Sequence, residues 1–202
     1  LDIATGWRIF TGEMSTILPI RTYGDPVLRE PARPVEAITP ELLEFIENLY
    51  ATMHISQGVG LAAQQVGSTQ AVCVIEIPED YDVEEGDGTR LNPEVPLSLT
   101  LVNPIIVEVS QDTCSMEEGC LSFPDIRGSV KRHWAVVVEH LGLDGNPQKT
   151  ELKGFFARAA QHELDHLAGD LFIDHFSHVK KLAVRSKLKR LQTETRDHLT
   201  TL

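Results

Sequence analysis

The sequence predicts an α+β domain with one helix early, a run of antiparallel strands, and a second helix that carries the chemistry. Three observations predict it. Leu42, Ile46, Leu49, Tyr50 and Met53 recur at helical spacing behind Thr39-Pro40-Glu41, which reads as an N-cap, a proline at the first helical position and a first-turn carboxylate. Between 71 and 153, short β-branched runs are separated by glycine, proline and aspartate. The stretch 154–169 is rich in alanine, leucine and unbranched polar residues, and Gly169 stands where a helix C-terminus favours glycine. It predicts a helix of about three to four turns.

Residues 1–13 show no periodicity and precede Met14-Ser15-Thr16, which resembles a translation start, so they read as a leader or an extension outside the fold. The turn-rich stretch 23–28, followed by Pro31 and Pro34, predicts a non-helical arm. The first helix follows from Pro40, and His54 near its end suits the negative end of the helix dipole better than a ligand role. Next come Gly58, Gly60 and Gly67 around two alanines, Gln64 and Gln65. Glycines flanking Val59 leave an open edge against which an extended peptide could lie, while a plain turn before a strand is the simpler reading.

A strand is expected over 71–77, with Cys73 a small buried residue. From Glu76 to Glu94 there are eight acidic residues and one arginine, which predicts a solvated loop. The pattern at 99–109 reads as a strand broken by Asn103-Pro104. A further strand at 135–138 ends in a Gly142, Asp144 and Gly145 turn and returns over 149–153. Between them, 116–124 reads as a loop that leaves the Cys120 sulfur accessible. The tail 178–202 carries Lys180, Lys181, Arg185, Lys187, Lys189 and Arg190 on a partly helical period, a basic C-terminal helix. It is either simply solvated or a docking element for an RNA-rich surface.

A chain of 202 residues with no apolar spanning run and no secretory signal suits one domain of about 14–177 plus the tail, and a cytoplasmic location. Three cysteines argue against a disulfide framework, and a net charge of −12 disfavours general nucleic-acid binding.

The chemistry lies in Gln161-His162-Glu163-Leu164-Asp165-His166. Histidines four apart share one helix face and can reach one cation, and Glu163 leans toward the same side as a base. The competing structural reading is an amphipathic helix with two solvated histidines. A catalytic site of this type wants a third protein ligand and one open position. In the common metallopeptidase continuation that ligand is a histidine, but Phe172 occupies the position, and the downstream Glu194 lies in the basic tail. The third ligand is better sought upstream, where Cys120 is the exposed candidate.

The stretches 58–65, 118–122 and 161–166 together resemble the three motifs of the peptide deformylase family, in the family's order, and the likeness runs over 17–176. The resemblance implies antiparallel β-sheets packed around a central helix bearing the H-E-x-x-H ligands. It implies hydrolysis of the N-formyl group from the formyl-methionine of nascent peptides, with no membrane involvement. By position, Cys120, His162 and His166 match the metal ligands and Glu163 the catalytic acid/base. Gln65 and the Leu121 N–H match the oxyanion donors, and Gly60 the edge that pairs with substrate. Val59 and Glu118 match the border of the methionine pocket, and Arg127 the far side of the substrate. One divalent ion is implied, Fe(II) from the family, with Zn(II) or Ni(II) in purified protein. The basic tail resembles the helix that brings some members to the ribosome. Arg158 stands where members often have an aliphatic residue beside the pocket. The rival readings are an HExxH metallopeptidase of another lineage, indifferent to Cys120, and a non-catalytic binding domain.

Overall fold

Thr39 caps the first helix by accepting a hydrogen bond from the Leu42 N–H (3.3 Å), and Pro40 occupies its first turn. In a computed structural model, which describes residues 15–84, 86 and 88–201, this helix is α1 (Pro40–Ile55). The leader read at 1–13 lies outside the described residues. The strands β1 (Gly60–Ala62), β2 (Val72–Glu76), β3 (Ser98–Val109), β6 (Ala135–Leu141) and β7 (Pro147–Lys153) form one antiparallel sheet in the order β1-β2-β3-β6-β7. A separate pair, β4 (Thr113–Gly119) and β5 (Arg127–His133), is joined by the segment that carries Cys120. The chain ends with α2 (Gly154–Ala168) and α3 (His178–Thr201). This is the α+β architecture that the sequence predicts.

At β2 the sheet is covered on both faces. Alternate side chains of a strand point to opposite sides, and accordingly Val72 and Val74 pack with Leu42, Ile46, Leu49 and Met53 of α1, while Cys73 and Ile75 pack with Phe156, Ala157 and Ala160 of α2. Burial on both faces explains why 71–77 is apolar without alternation. A third cluster of Leu28, Phe123, Phe172, Phe176 and Val184 lies between the arm, the Cys120 segment and α3. The Thr22 and Thr195 hydroxyls, 2.6 Å apart, tie the arm to α3.

Four details differ from the expectations. The arm contains a 3-10 turn, Pro26–Arg29, and a bridge between Arg33 and Gln70. The strand at 99–109 is continuous, because the Asn103 side chain accepts from the Val35 N–H (2.7 Å) and donates to the Val35 carbonyl (2.8 Å), so the irregular backbone is satisfied from the side. Met116 to Gly119 belongs to β4 and not to a loop. The acidic segment is not solvated throughout: Ile77 and Asn92 are buried, and so is Asp82, which meets Arg90 (2.8 Å) and Asn92. His54 lies in the last turn of α1 and also meets Glu76 (3.0 Å). Among the described residues no helix is long and apolar enough to cross a membrane.

Candidate active site

Small residues let α2 run through the interior. Ala157 and Ala160 are fully buried against the sheet, and the helix stops at Gly169, whose φ of +81° and close approach to the Arg29 backbone require glycine. His162 and His166 therefore stack one turn apart, ring centroids 5.2 Å apart and nearly perpendicular. Cys120 follows the last residue of β4 and brings its sulfur to 3.2 Å from His166 Nε2. The three ligating atoms of Cys120, His162 and His166 all lie within 4.8 Å of one another.

The surroundings fix these groups. Glu118 accepts from His162 Nδ1 (3.0 Å), which leaves Nε2 for the centre of the cluster. Glu118 also takes Arg132 through Oε1 and Oε2 (3.0 Å each) and Arg158 through Oε1 (2.5 Å). Burial raises the Glu118 pKa, but hydrogen bonds from His162 and Arg132 outweigh it and hold the carboxyl well below the usual range. Burial likewise opposes a charge on His162, yet Cys120 and Glu118 prevail and raise its pKa. His166 is pushed the other way, its pKa lowered by burial and by the neighbouring His162. A thiolate with two imidazoles is a fitting donor set for one divalent ion.

Glu163 points elsewhere. It is buried beside Gly60 on the edge strand β1, where an added Cβ would collide with the carboxylate, and its Oε2 has no partner among the described residues. Burial pushes its pKa up to about 7. The 3-10 turn Ala63–Val66 carries Gln65, whose Oε1 accepts from the Ala62 N–H (2.8 Å). That bond turns the Gln65 amide nitrogen toward Ser122 Oγ (3.3 Å) and Cys120 Sγ (3.4 Å). Leu121 lies in the turn closed by the Phe123 N–H on the Cys120 carbonyl (2.9 Å).

The remaining predicted residues stand around this centre. Val59 precedes β1 and its carbonyl accepts from the Glu76 N–H (2.9 Å). Arg127 is exposed at the start of β5, in register with Gly119, and its side chain crosses Gly119. Glu118, expected beside a side-chain pocket, has its carboxylate buried behind His162. Ser122 and Asp165 stand in the sequence motifs without a role assigned there, Arg132 is not singled out by the sequence, and Arg158 is set by the resemblance beside a side-chain pocket. Arg132 also donates to Asp165 (2.5 Å), which in turn meets His175 (2.9 Å). The alternation of 127–133 puts Arg132 on the inward face with Gly128 and Val130, and this is the signal that separates it from the outward Lys131.

The profile of polypeptide deformylases matches residues 17–182. The chain belongs to this family. A peptide deformylase of Salinibacter ruber is 39% identical over 175 residues, 87% of this chain and 88% of that protein. The crystal structure of a Plasmodium falciparum peptide deformylase superposes with a TM-score of 0.77 at 33% identity, covering 89% of this chain and 98% of that one. A Met-Ala-Ser-bound peptide deformylase of Acinetobacter baumannii superposes with a TM-score of 0.70 at 37% identity, covering 81% of this chain and 100% of that one. The deformylases are enzymes. Their likeness here covers every element from the arm through the H-E-x-x-H helix.

Proposed function

We propose that the protein hydrolyses the N-formyl group from the formyl-methionine that opens newly made polypeptides, in the cytoplasm, and releases formate. The observation that carries this is the meeting of Cys120 with His162 and His166 beside a buried, unpartnered Glu163 carboxylate. Cys120, His162 and His166 would hold one divalent ion. When bound, that ion acts as a Lewis acid that makes water acidic enough to attack near neutral pH. Fe(II) is the metal the family resemblance implies, whereas the affinity order alone favours zinc.

The residues of the chain supply the rest. Glu163 accepts the proton of the attacking water as the C–O bond forms at the formyl carbon. The Gln65 amide, held by the Ala62 N–H, and the Leu121 N–H are the donors for the charge that builds on the formyl oxygen. Glu163 then passes the proton to the departing amine as the C–N bond breaks, giving formate and a free N-terminus. The edge of β1 offers backbone groups to an extended peptide, and the family resemblance would put Val59 beside the methionine pocket and Arg127 on the far side of the peptide. That a relative was solved with Met-Ala-Ser bound supports that class of ligand. A formyl group carries only hydrogen on the side of its carbon away from nitrogen, so a tight site beside Glu163 admits it and excludes larger acyl groups by shape.

The test is formate release from formyl-methionyl peptides by anaerobically prepared protein and by Glu163→Ala. The variant should keep its metal content and lose ~10³-fold or more in kcat, within the range of acid/base catalysis. Full activity in the variant would overturn the mechanism.

A further inference from the structure

Arg158 is an arginine in the interior, on α2 one turn before His162, and only 4% exposed. Its Nη1 donates to Glu118 Oε1 (2.5 Å) and to the Val130 carbonyl (3.0 Å), and its Nη2 donates to the Cys114 carbonyl (2.5 Å). One guanidinium therefore joins the ligand-bearing helix to both strands of the β4–β5 pair, where Cys114 lies opposite Arg132 and Met116 opposite Val130. Glu118, at the other end of β4, is the carboxylate that holds His162 Nδ1.

Counting charges shows what Arg158 adds. Glu118 Oε1 receives Arg132 Nε and Arg158 Nη1, and Oε2 receives Arg132 Nη2 and His162 Nδ1. Arg132 spends its remaining Nη1 on Asp165 (2.5 Å), the residue before His166. Two guanidinium charges thus face two carboxylates. Without Arg158, Arg132 alone would face both Glu118 and Asp165, and the buried Glu118 carboxylate would lose a charged donor on Oε1. Buried charge that loses its partner is costly and finds new geometry. The group free to move would be the Glu118 carboxylate, and His162 would follow it.

We propose that Arg158 is a positioning residue for the metal centre: through Glu118 it sets the orientation of the His162 imidazole, and by sharing Glu118 it leaves Arg132 free to hold Asp165 beside His166. This rests on reading Cys120, His162 and His166 as one ion's ligands. It gives Arg158 a task different from lining a side-chain pocket, the place an aliphatic residue would serve.

The experiment uses the full chain loaded with Co(II), as wild type, R158M, R158K, E118Q and the R158M/E118Q double variant. Affinity is read by competition with a chelator, coordination by the visible Co(II) spectrum, and turnover with a formyl-methionyl peptide. R158M should bind Co(II) ~10-fold or more weakly, as loss of a ligand's supporting partner does, and its spectrum should change. At saturating metal its kcat should fall while KM stays within ~2-fold, an interaction made only in the transition state being the one lost. R158K should recover part of the affinity. The double variant should be no weaker than E118Q, because Arg158 acts through Glu118. Wild-type affinity and spectrum in R158M, or additive losses in the double variant, would overturn the proposal. A raised KM with unchanged affinity would also overturn it and make Arg158 a pocket wall. If R158M does not fold, wild-type affinity in R158K marks a purely structural arginine and overturns it as well. Affinity and spectrum need no formate assay, so an Arg158-dependent Co(II) site in a protein that releases no formate would refute the hydrolysis and leave this inference standing.

Discussion

Helices α1 and α2 are nearly equal in length, 16 and 15 residues, and cover opposite faces of the same sheet, yet they bury opposite chemistry. α1 presents Leu42, Ile46, Leu49 and Met53 to Val72 and Val74, and its few buried polar groups serve the backbone, as Thr52 does by donating to the Asn48 carbonyl (2.7 Å). α2 buries Arg158, Gln161, His162, Glu163 and His166. Burying such groups costs free energy unless each finds a partner, and α2 recovers it unevenly. Arg158, Gln161 and His162 are bonded to β4, β5 or both, whereas Glu163 Oε2 and His166 Nδ1 have no partner among the described residues. The difference separates a helix that stabilises the fold from one that the fold sustains for chemistry.

The comparison can be broken at either helix. The largest expected effect on stability comes from Leu49→Ala in α1, fully buried among Leu42, Ile46 and Met53. Denaturant unfolding should show a loss of ~2–5 kcal/mol, with kcat of the folded fraction unchanged; a loss of kcat with unchanged stability would make α1 part of the site. Next comes Gly60→Ala, because a Cβ there would collide with the Glu163 carboxylate. Formate release should drop ~10²-fold, the scale of an ångström's misplacement at a reacting group, while the melting temperature moves little. Retained activity would show that Glu163 has room to spare.

The smallest effect sharpens the comparison most. Burial pushes the Glu163 carboxyl up to about 7 from an ordinary 4.5, so the folded chain holds this proton more tightly than the unfolded chain. Stability from this group is complete below the unfolded value and is lost as pH rises through the folded one. In chelator-treated protein, Glu163→Gln should therefore melt ~3 °C or more above wild type at pH ~8 and match it below pH ~4, as calorimetry would show. Equal melting temperatures at both pH values would mean that the buried carboxylate costs the fold nothing.

Much of α2 is legible without coordinates. Residues four apart on a helix share a face whatever surrounds them, so His162 and His166 announce a common target. Cys120 is harder, since its place depends on how β4 ends, and the metal-ligand reading reaches it by finding the downstream positions filled by Phe172 or exposed like Glu194. In the β4–β5 pair, β4 escapes pattern reading and β5 shows an alternation whose inward arginine is easily passed over. Thr113–Gly119 buries only Glu118, and Arg127–His133 alternates with charged residues, one of which, Arg132, turns inward against the usual preference of arginine for solvent. Asn103-Pro104 misleads in the opposite sense. It looks like a strand break, and only the Val35 backbone, 68 residues earlier, shows why the strand continues.

By itself the sequence determined the class of fold, the helix that bears His162, Glu163 and His166, and the two other stretches that complete the family pattern, because short-range periodicity and motif spacing are properties of the chain alone. Tertiary structure decided what holds those groups in place. Glu118, Arg132, Arg158 and Asp165 lie on three separate elements, and their charges balance only when β4, β5 and α2 come within hydrogen-bonding distance. Electrostatic balance in a water-poor interior depends on which groups become neighbours in space, and distance along the chain does not encode that.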